Sequence, residues 1–285
     1  MSLRRLACLY LVPLSTANPK SAIAAGRRLL STINPQEISR FDVLAATWWD
    51  SKGSSRLLHR MNPLRLAFIK SVLDPTAIRD NNQWLRGLWV LDVGCGGGIL
   101  CESLARVGAT THGLDPSRPA IEVAKAHLLT DPILCAKNPP AYVCGSIQEH
   151  EPQAKYDIVT AMEVLEHVDY PASFVKELSS RVKPGGWLII STISRTWQAW
   201  LGAIVGAEAL LGIVPRGTHT WHKFIKEAEL RQHIVMLCDE GGKKWASEVK
   251  TKGIIYDPIR GEWRFSETIG GPIFNYFLAT RRAGR

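Results

Sequence analysis

Apolar and polar positions alternate with a helical period at the start of this chain and with short, strand-like runs further on. From Ile38 to Ile69 the pattern is helical, with Phe41, Leu44, Ala45 and Trp48 on one side. Gly53-Ser54-Ser55 interrupts it, and Asn62-Pro63 opens a second helix carrying Leu64, Phe68 and Val72, because proline suits a first helical turn. From Leu88 the period changes. Strands are predicted at Leu88 to Val93, Thr110 to Leu114, Ala141 to Cys144, Tyr156 to Ala161 and Trp187 to Thr192. Helices are predicted between them at Ile99 to Arg106, Pro119 to Leu129 and Ala172 to Val182, the last stopped by Lys183-Pro184-Gly185-Gly186. Two further strands are expected at Gly253 to Tyr256 and Phe274 to Ala279.

Strands alternating with helices imply right-handed crossovers and a mostly parallel sheet covered on both faces. The expected architecture is one α/β domain over residues 32–285, with a core at 85–192 and an N-terminal helical cap. Hydrophobic residues at 46% and charged residues at 21% exclude a disordered chain. No apolar run reaches 18 residues unbroken, which argues against a plain membrane span. Six cysteines (8, 95, 101, 135, 144 and 238) form no CxxC pair, so they read as reduced thiols.

The net charge of +9 changes the picture only through its distribution. The first acidic residue is Glu37, and Arg4, Arg5, Lys20, Arg27 and Arg28 precede it among Ser, Ala and Leu. An acid-free start of this composition is that of an organellar import peptide, expected over residues 1–31. Five of the nine net positive charges would leave with it. The basic balance then belongs to an address, and no nucleic-acid surface is expected.

The first strand runs into Leu91-Asp92-Val93-Gly94-Cys95-Gly96-Gly97-Gly98. Glycines let the backbone turn sharply and approach a ligand, and the following helix points its N-terminus at that ligand. Asp115 closes the second strand, at the spacing where a carboxylate accepts hydrogen bonds from ribose hydroxyls. A dinucleotide cofactor needs Gly-x-Gly-x-x-Gly for its pyrophosphate. Here glycines 94, 96 and 98 recur every second residue and Ile99 takes the place of the third dinucleotide glycine. The loop therefore suits S-adenosylmethionine better than a nicotinamide dinucleotide.

After the fourth strand comes Met162-Glu163-Val164-Leu165-Glu166-His167. On an α-helix Glu163, Glu166 and His167 fall within an arc of about 100°. Two carboxylates and an imidazole can hold a divalent cation, and the imidazole leaves Zn²⁺, Mn²⁺ or Co²⁺ open. His167 can instead be a general base without metal. A third reading is a solvated helix start, with Glu favoured by the helix dipole.

With these residues in view the chain resembles the ubiquinone-biosynthesis O-methyltransferases, Rossmann-like class I S-adenosylmethionine enzymes. The resemblance includes Ala46-Thr47-Trp48-Trp49-Asp50, Leu58 to Arg65 with its Asn-Pro-Leu-Arg, Val90 to Leu100 and Met162 to Val168. It continues through Gly206-Ala207-Glu208 and Val214 to His219, and spans roughly Ile38 to Ala279. It implies two O-methylations of phenolic hydroxyls, on 3,4-dihydroxy-5-polyprenylbenzoate and on demethylubiquinol. It implies cofactor contacts at Arg65, Gly94, Asp115 and Met162. It also implies a divalent metal, usually Mg²⁺, at Glu163, Glu166 and His167. Arg65 suits the methionyl carboxylate, and Met162 suits packing against adenosine.

The reaction expected is an in-line displacement at a sulfonium methyl, whose thioether leaving group needs no acid. The phenol, with a pKa near 10, needs its proton removed. Trp197 to Pro215 has Gln198 and Glu208 as its polar side chains and is expected to be an interfacial or lid element, within an insertion at about 196–222. A buried core helix is the competing reading of that stretch. Leader and resemblance together imply a peripheral enzyme on the matrix face of the mitochondrial inner membrane, beside other enzymes of a ubiquinone-biosynthesis complex. A methyltransferase for a soluble acceptor and a non-catalytic scaffold remain the alternatives.

Overall fold

Side-chain alternation along the strands feeds apolar clusters on both faces of a single sheet. The computed structural model describes residues 32–73, 82–151, 155–194, 225–238, 242, 244–266 and 274–284. The expected import peptide (1–31) and the expected insertion (196–222), with the motif residues 206–208 and 214–219, lie outside the described residues.

Helices α1 (Pro35–Leu44) and α2 (Arg56–Val72) come first, joined through a 3-10 turn at Ala45–Thr47. The alternating part follows: β1 (Trp89–Val93), α3 (Ile99–Arg106), β2 (Thr110–Asp115), α4 (Arg118–Leu128), α5 (Pro132–Lys137), β3 (Ala141–Cys144), β4 (Tyr156–Met162), α6 (Pro171–Ser180) and β5 (Val182–Ile193). The chain ends with α7 (Glu227–Met236), β6 (Ala246–Asp257), β7 (Glu262–Ser266) and β8 (Asn275–Arg282). The sheet order is β3-β2-β1-β4-β5-β8-β6-β7. Pairings from β3 through β5 are parallel, and those from β5 outward to β7 are antiparallel.

On β5 and β8 the alternation can be followed residue by residue. Leu188, Ile190, Tyr276 and Leu278 join Phe174, Leu178, Leu230 and Ile234 on one face. Ile189, Phe277 and Ala279 join Met61, Phe68, Ile69 and Leu104 on the other. Neighbouring strand residues point to opposite faces, so one apolar run feeds both helix layers. The mostly parallel sheet, the covered faces and the N-terminal helices agree with the sequence reading.

Several elements differ from it. Helix α2 begins at Arg56 and keeps Pro63 inside. Tertiary contacts hold it there: Asn62 Nδ2 donates to Ser103 Oγ (2.8 Å) and Ile99 O (3.3 Å), against the start of α3. The Lys183-Pro184-Gly185-Gly186 stretch belongs to β5, where it forms an irregularity in the register with β4. Helices α5 and α7 and strand β7 were not foreseen. Strand β7 carries Glu262 and Arg264, which break the apolar pattern.

The cap is seated on the glycine loop. A Cβ on Gly96 or Gly97 would collide with the Trp48 ring, and Gly96 also has φ +52°. Trp49 Nε1 donates to Gly97 O (2.7 Å), and its ring stacks flat on His127. His127 Nδ1 in turn lies 2.7 Å from Oε1 of the fully buried Glu102. Gly96→Ala is expected to cost about 1–3 kcal/mol through the left-handed backbone and the clash. The cost should shrink when Trp48→Ala is already present. Urea melts of the two single variants and the double variant check this; strictly additive losses would show that the contact is not responsible.

Candidate functional site

The C-terminal ends of β1, β2, β4 and β5 open into a cavity of about 550 Å³, a size suited to a cofactor-sized ligand. Ligands of such folds bind at this edge of the sheet. Arg65, Gly94, Asp115, Met162, Glu163, Glu166 and His167 all line this one cavity.

Gly94 has φ +73°, and its N–H donates to Leu114 O (2.7 Å), tying the end of β1 to β2. Asp115 locks the loop from the other side. Its Oδ2 accepts from Gly96 N (2.9 Å) and its Oδ1 from Ser117 N (2.8 Å). Removal from water pushes the Asp115 carboxyl up to about 6, against the pull of those two amides. Asp92 is buried and pushed upward by that burial, although Thr160 Oγ1 donates to it at 2.6 Å.

Arg65 reaches the cavity from α2 and is 5% exposed. Burial disfavours its charge, and the carboxylates of Glu163, Asp92 and Glu166 offset that cost. Its Nε is buried without a hydrogen-bond partner among the described residues, as are Glu163 Oε1 and Gln148 Oε1, which line the same cavity. A ligand with a carboxylate and an amino group would satisfy such donors and acceptors. Met162 is buried at the end of β4 and packs in the core shared with α2 and α3.

The expected helical face at Glu163, Glu166 and His167 is not formed. Glu163 sits in the left-handed region at φ +58°, and only Leu165–His167 turn, as a 3-10 helix. The strained Glu163 backbone is held by its N–H, which donates to Ser191 Oγ (3.0 Å) and to Ser191 O (3.1 Å). Each side chain then finds its own partner. Asn275 Nδ2 donates to Glu163 Oε2 (3.2 Å), and Thr192 Oγ1 donates to Glu166 Oε2 (2.7 Å). His167 Nδ1 lies 3.0 Å from Glu37 Oε2. Among the described residues no three His, Cys, Asp or Glu side chains are grouped to hold a metal ion. The expected cluster is therefore not preassembled, because a tight turn replaces the helix that would have aligned it.

The donor chemistry still fits a cation. Glu163 Oε1 is buried and unsatisfied, and the Glu166 carboxyl is pushed upward by burial and by the Glu163 charge. A cation would relieve both.

Glu37 and Asn275 escaped the sequence reading. Glu37 follows Asn34, whose side chain caps α1 by accepting from Gln36 N (3.0 Å) and Glu37 N (3.2 Å), so in sequence it reads as a helix start. The fold brings it to His167, 130 residues away, with the Phe41 ring set edge-on to the imidazole. A carboxylate on Nδ1 fixes the tautomer and leaves Nε2 as the lone pair.

Residues 57–234 match a family described as a methyltransferase domain. The chain is 41% identical over 254 residues to the mitochondrial ubiquinone biosynthesis O-methyltransferase of Schizosaccharomyces pombe, covering 88% of this chain and 87% of that one. It is 42% identical over 255 residues to the ubiquinone biosynthesis O-methyltransferase of Methylobacterium nodulans, covering 88% and 96%. Among solved structures, the magnesium protoporphyrin IX methyltransferase of Synechocystis PCC 6803 with bound SAH shares the fold. Its TM-score is 0.57 at 21% identity, with 86% of this chain and 95% of that one covered.

The raised Asp115 carboxyl sets a pH dependence. A ligand whose hydroxyls donate to Asp115 would bind best to the ionised form, so its affinity is expected to level off about one pH unit above 6 and to fall as the pH drops through 6. S-adenosylhomocysteine should bind about tenfold more weakly at pH 5 than at pH 7, by calorimetry. Asp115→Asn should flatten that profile; an unchanged slope would assign the titration to another group.

Proposed function

Because the chain belongs to the ubiquinone biosynthesis O-methyltransferase family and is an S-adenosylmethionine-dependent methyltransferase, we propose that it methylates polyprenylated phenols. The acceptors are the dihydroxybenzoate and benzoquinol intermediates, each methylated on a phenolic oxygen. The observation that carries the chemistry is the Glu37–His167 pair in the wall of the cavity that also holds the glycine loop.

In this reading Arg65 pairs with the methionyl carboxylate, Asp115 accepts from the ribose hydroxyls, Gly94 lets the backbone approach, and Met162 packs against the adenosine. With no cation in the site, His167 takes the phenol proton on Nε2 while Glu37 holds Nδ1. The methyl group then passes in line from sulfonium to phenolate, with the gain coming from proximity and orientation. Glu163, Glu166 and His167 are the residues that would hold a divalent cation, Mg²⁺ in the family, and such an ion lowers the pKa of a phenol. Residues 1–31 are read as a mitochondrial import peptide. The matrix face of the inner membrane and a biosynthetic complex are the setting that follows for an acceptor insoluble in water.

The test is transfer from labelled S-adenosylmethionine to a short-prenyl dihydroxybenzoate. His167→Ala is expected to lower kcat about 10²–10⁴-fold, with cofactor affinity retained. Glu37→Gln is expected to lower it about tenfold. Loss on chelation with recovery on adding Mg²⁺ would support the cation, whereas transfer indifferent to chelation would leave the proton to His167 alone. No transfer by a protein that binds cofactor would refute the acceptor.

A further inference from the structure

The cavity has a further wall, built by strands of the sheet remote from the glycine loop. Strands β6 and β7 form a hairpin on the antiparallel edge of the sheet, away from the glycine loop. Ile255, Tyr256, Pro258 and Trp263 of this hairpin line the cavity, together with Leu57 and Leu58 of α2. None of them is a charged side chain, so this wall offers contact area more than polar recognition.

The wall is fixed in place. Trp263 Nε1 donates to Leu57 O (3.1 Å), and the Trp263 ring packs against Tyr256 with centroids 5.4 Å apart. Arg60 of α2 donates from Nη1 to Gly261 O (2.7 Å) and to the Tyr256 hydroxyl (3.2 Å). The cap helix and the hairpin therefore clasp each other. Pro258 lines the cavity while being solvent-exposed, so the hairpin turn stands at the rim. The next residue, Ile259, is 96% exposed, and it carries the apolar surface from the rim to the outside of the protein.

We propose that the cavity wall built jointly by α2 and the β6–β7 hairpin holds the isoprenoid tail of the acceptor and leads it out over the rim at Pro258, past Ile259. This rests on the polyprenylated-phenol reading above. The phenol ring then lies by His167, and the hydrocarbon runs along Leu57, Tyr256 and Trp263. Burial of the tail on this apolar wall makes chain length a determinant of kcat/KM, because binding of remote substrate parts contributes to the transition-state complex.

The test compares two acceptors with the same dihydroxybenzoate ring, one carrying a single isoprene unit and the other four, presented in the same detergent to the full chain. The quantity read is the ratio of kcat/KM for the long acceptor to that for the short one. Leu57→Asn in the wall is expected to lower this ratio about tenfold, as expected when an aliphatic contact of about 1.4 kcal/mol is lost. Ile259→Asp, at an exposed position that the fold does not depend on, should lower it in the same direction. In the wild-type protein, a long acceptor with a diazirine at the tail end should crosslink to the peptide spanning residues 253–266. An unchanged ratio in both variants, or crosslinks confined to other peptides, would overturn the tail path while transfer to the short acceptor upholds the acceptor reading. Transfer to neither acceptor would overturn that reading, and the tail path with it.

Discussion

The contact between the cap tryptophans and the glycine loop is the constraint on which the site depends. Trp48 lies where the Cβ atoms of residues 96 and 97 would be, and Trp49 bonds to Gly97 O. Two glycines are thus required by a neighbour as well as by the turn they make. With the cap seated there, Glu37 meets His167 and Arg65 meets the carboxylates of the sheet edge. The cap is therefore part of the site's wall, and displacing it would remove a cation and a carboxylate together.

Charge is handled in the cavity by mutual compensation. Arg65, Asp92, Glu163 and Glu166 are close enough to influence one another, and burial works against the charges of Arg65, Asp92 and Glu166. Such an arrangement stabilises the fold less than an apolar core would, because desolvation consumes much of the Coulombic gain. Buried polar atoms with no partner among the described residues, at Arg65 Nε, Glu163 Oε1 and Gln148 Oε1, belong to residues lining that same cavity. Stability given up in this way is common where a site must recognise a charged ligand. The positive φ of Glu163 is a further strain stored at the same place.

The sheet divides the labour along its width. Its parallel half ends in loops that carry the glycines, Asp115 and the Glu163–His167 turn, because parallel strands deliver all their C-terminal ends to one edge. Its antiparallel half begins where β8 reverses beside β5, and it supplies Asn275 to Glu163 and an apolar hairpin to the cavity.

Much of the parallel half was legible in the chain. The short runs at 88–93, 110–114, 156–161 and 187–192 read as strands, since they are too short for buried helices, and the first two are closed by Gly94 and by Asp115-Pro116. Glycines 94, 96 and 98 with Asp115 were legible from their spacing, because one strand–helix–strand unit sets the end of β2 beside the end of β1. Glu163, Glu166 and His167 were found as residues and misjudged as a shape. Their helix fails because Ser191 takes the Glu163 amide and forces a left-handed turn, a contact 28 residues away. Strand β7 was hidden because its pairing partner, not its own composition, makes it a strand. Glu37 was invisible for a similar reason: a carboxylate in a first helical turn looks like a cap, and only long-range folding makes it the partner of an imidazole. What depends on neighbours along the chain was determined by the sequence alone. What depends on which distant surfaces meet was decided by the tertiary structure, because burial and pairing act between groups that no local pattern connects.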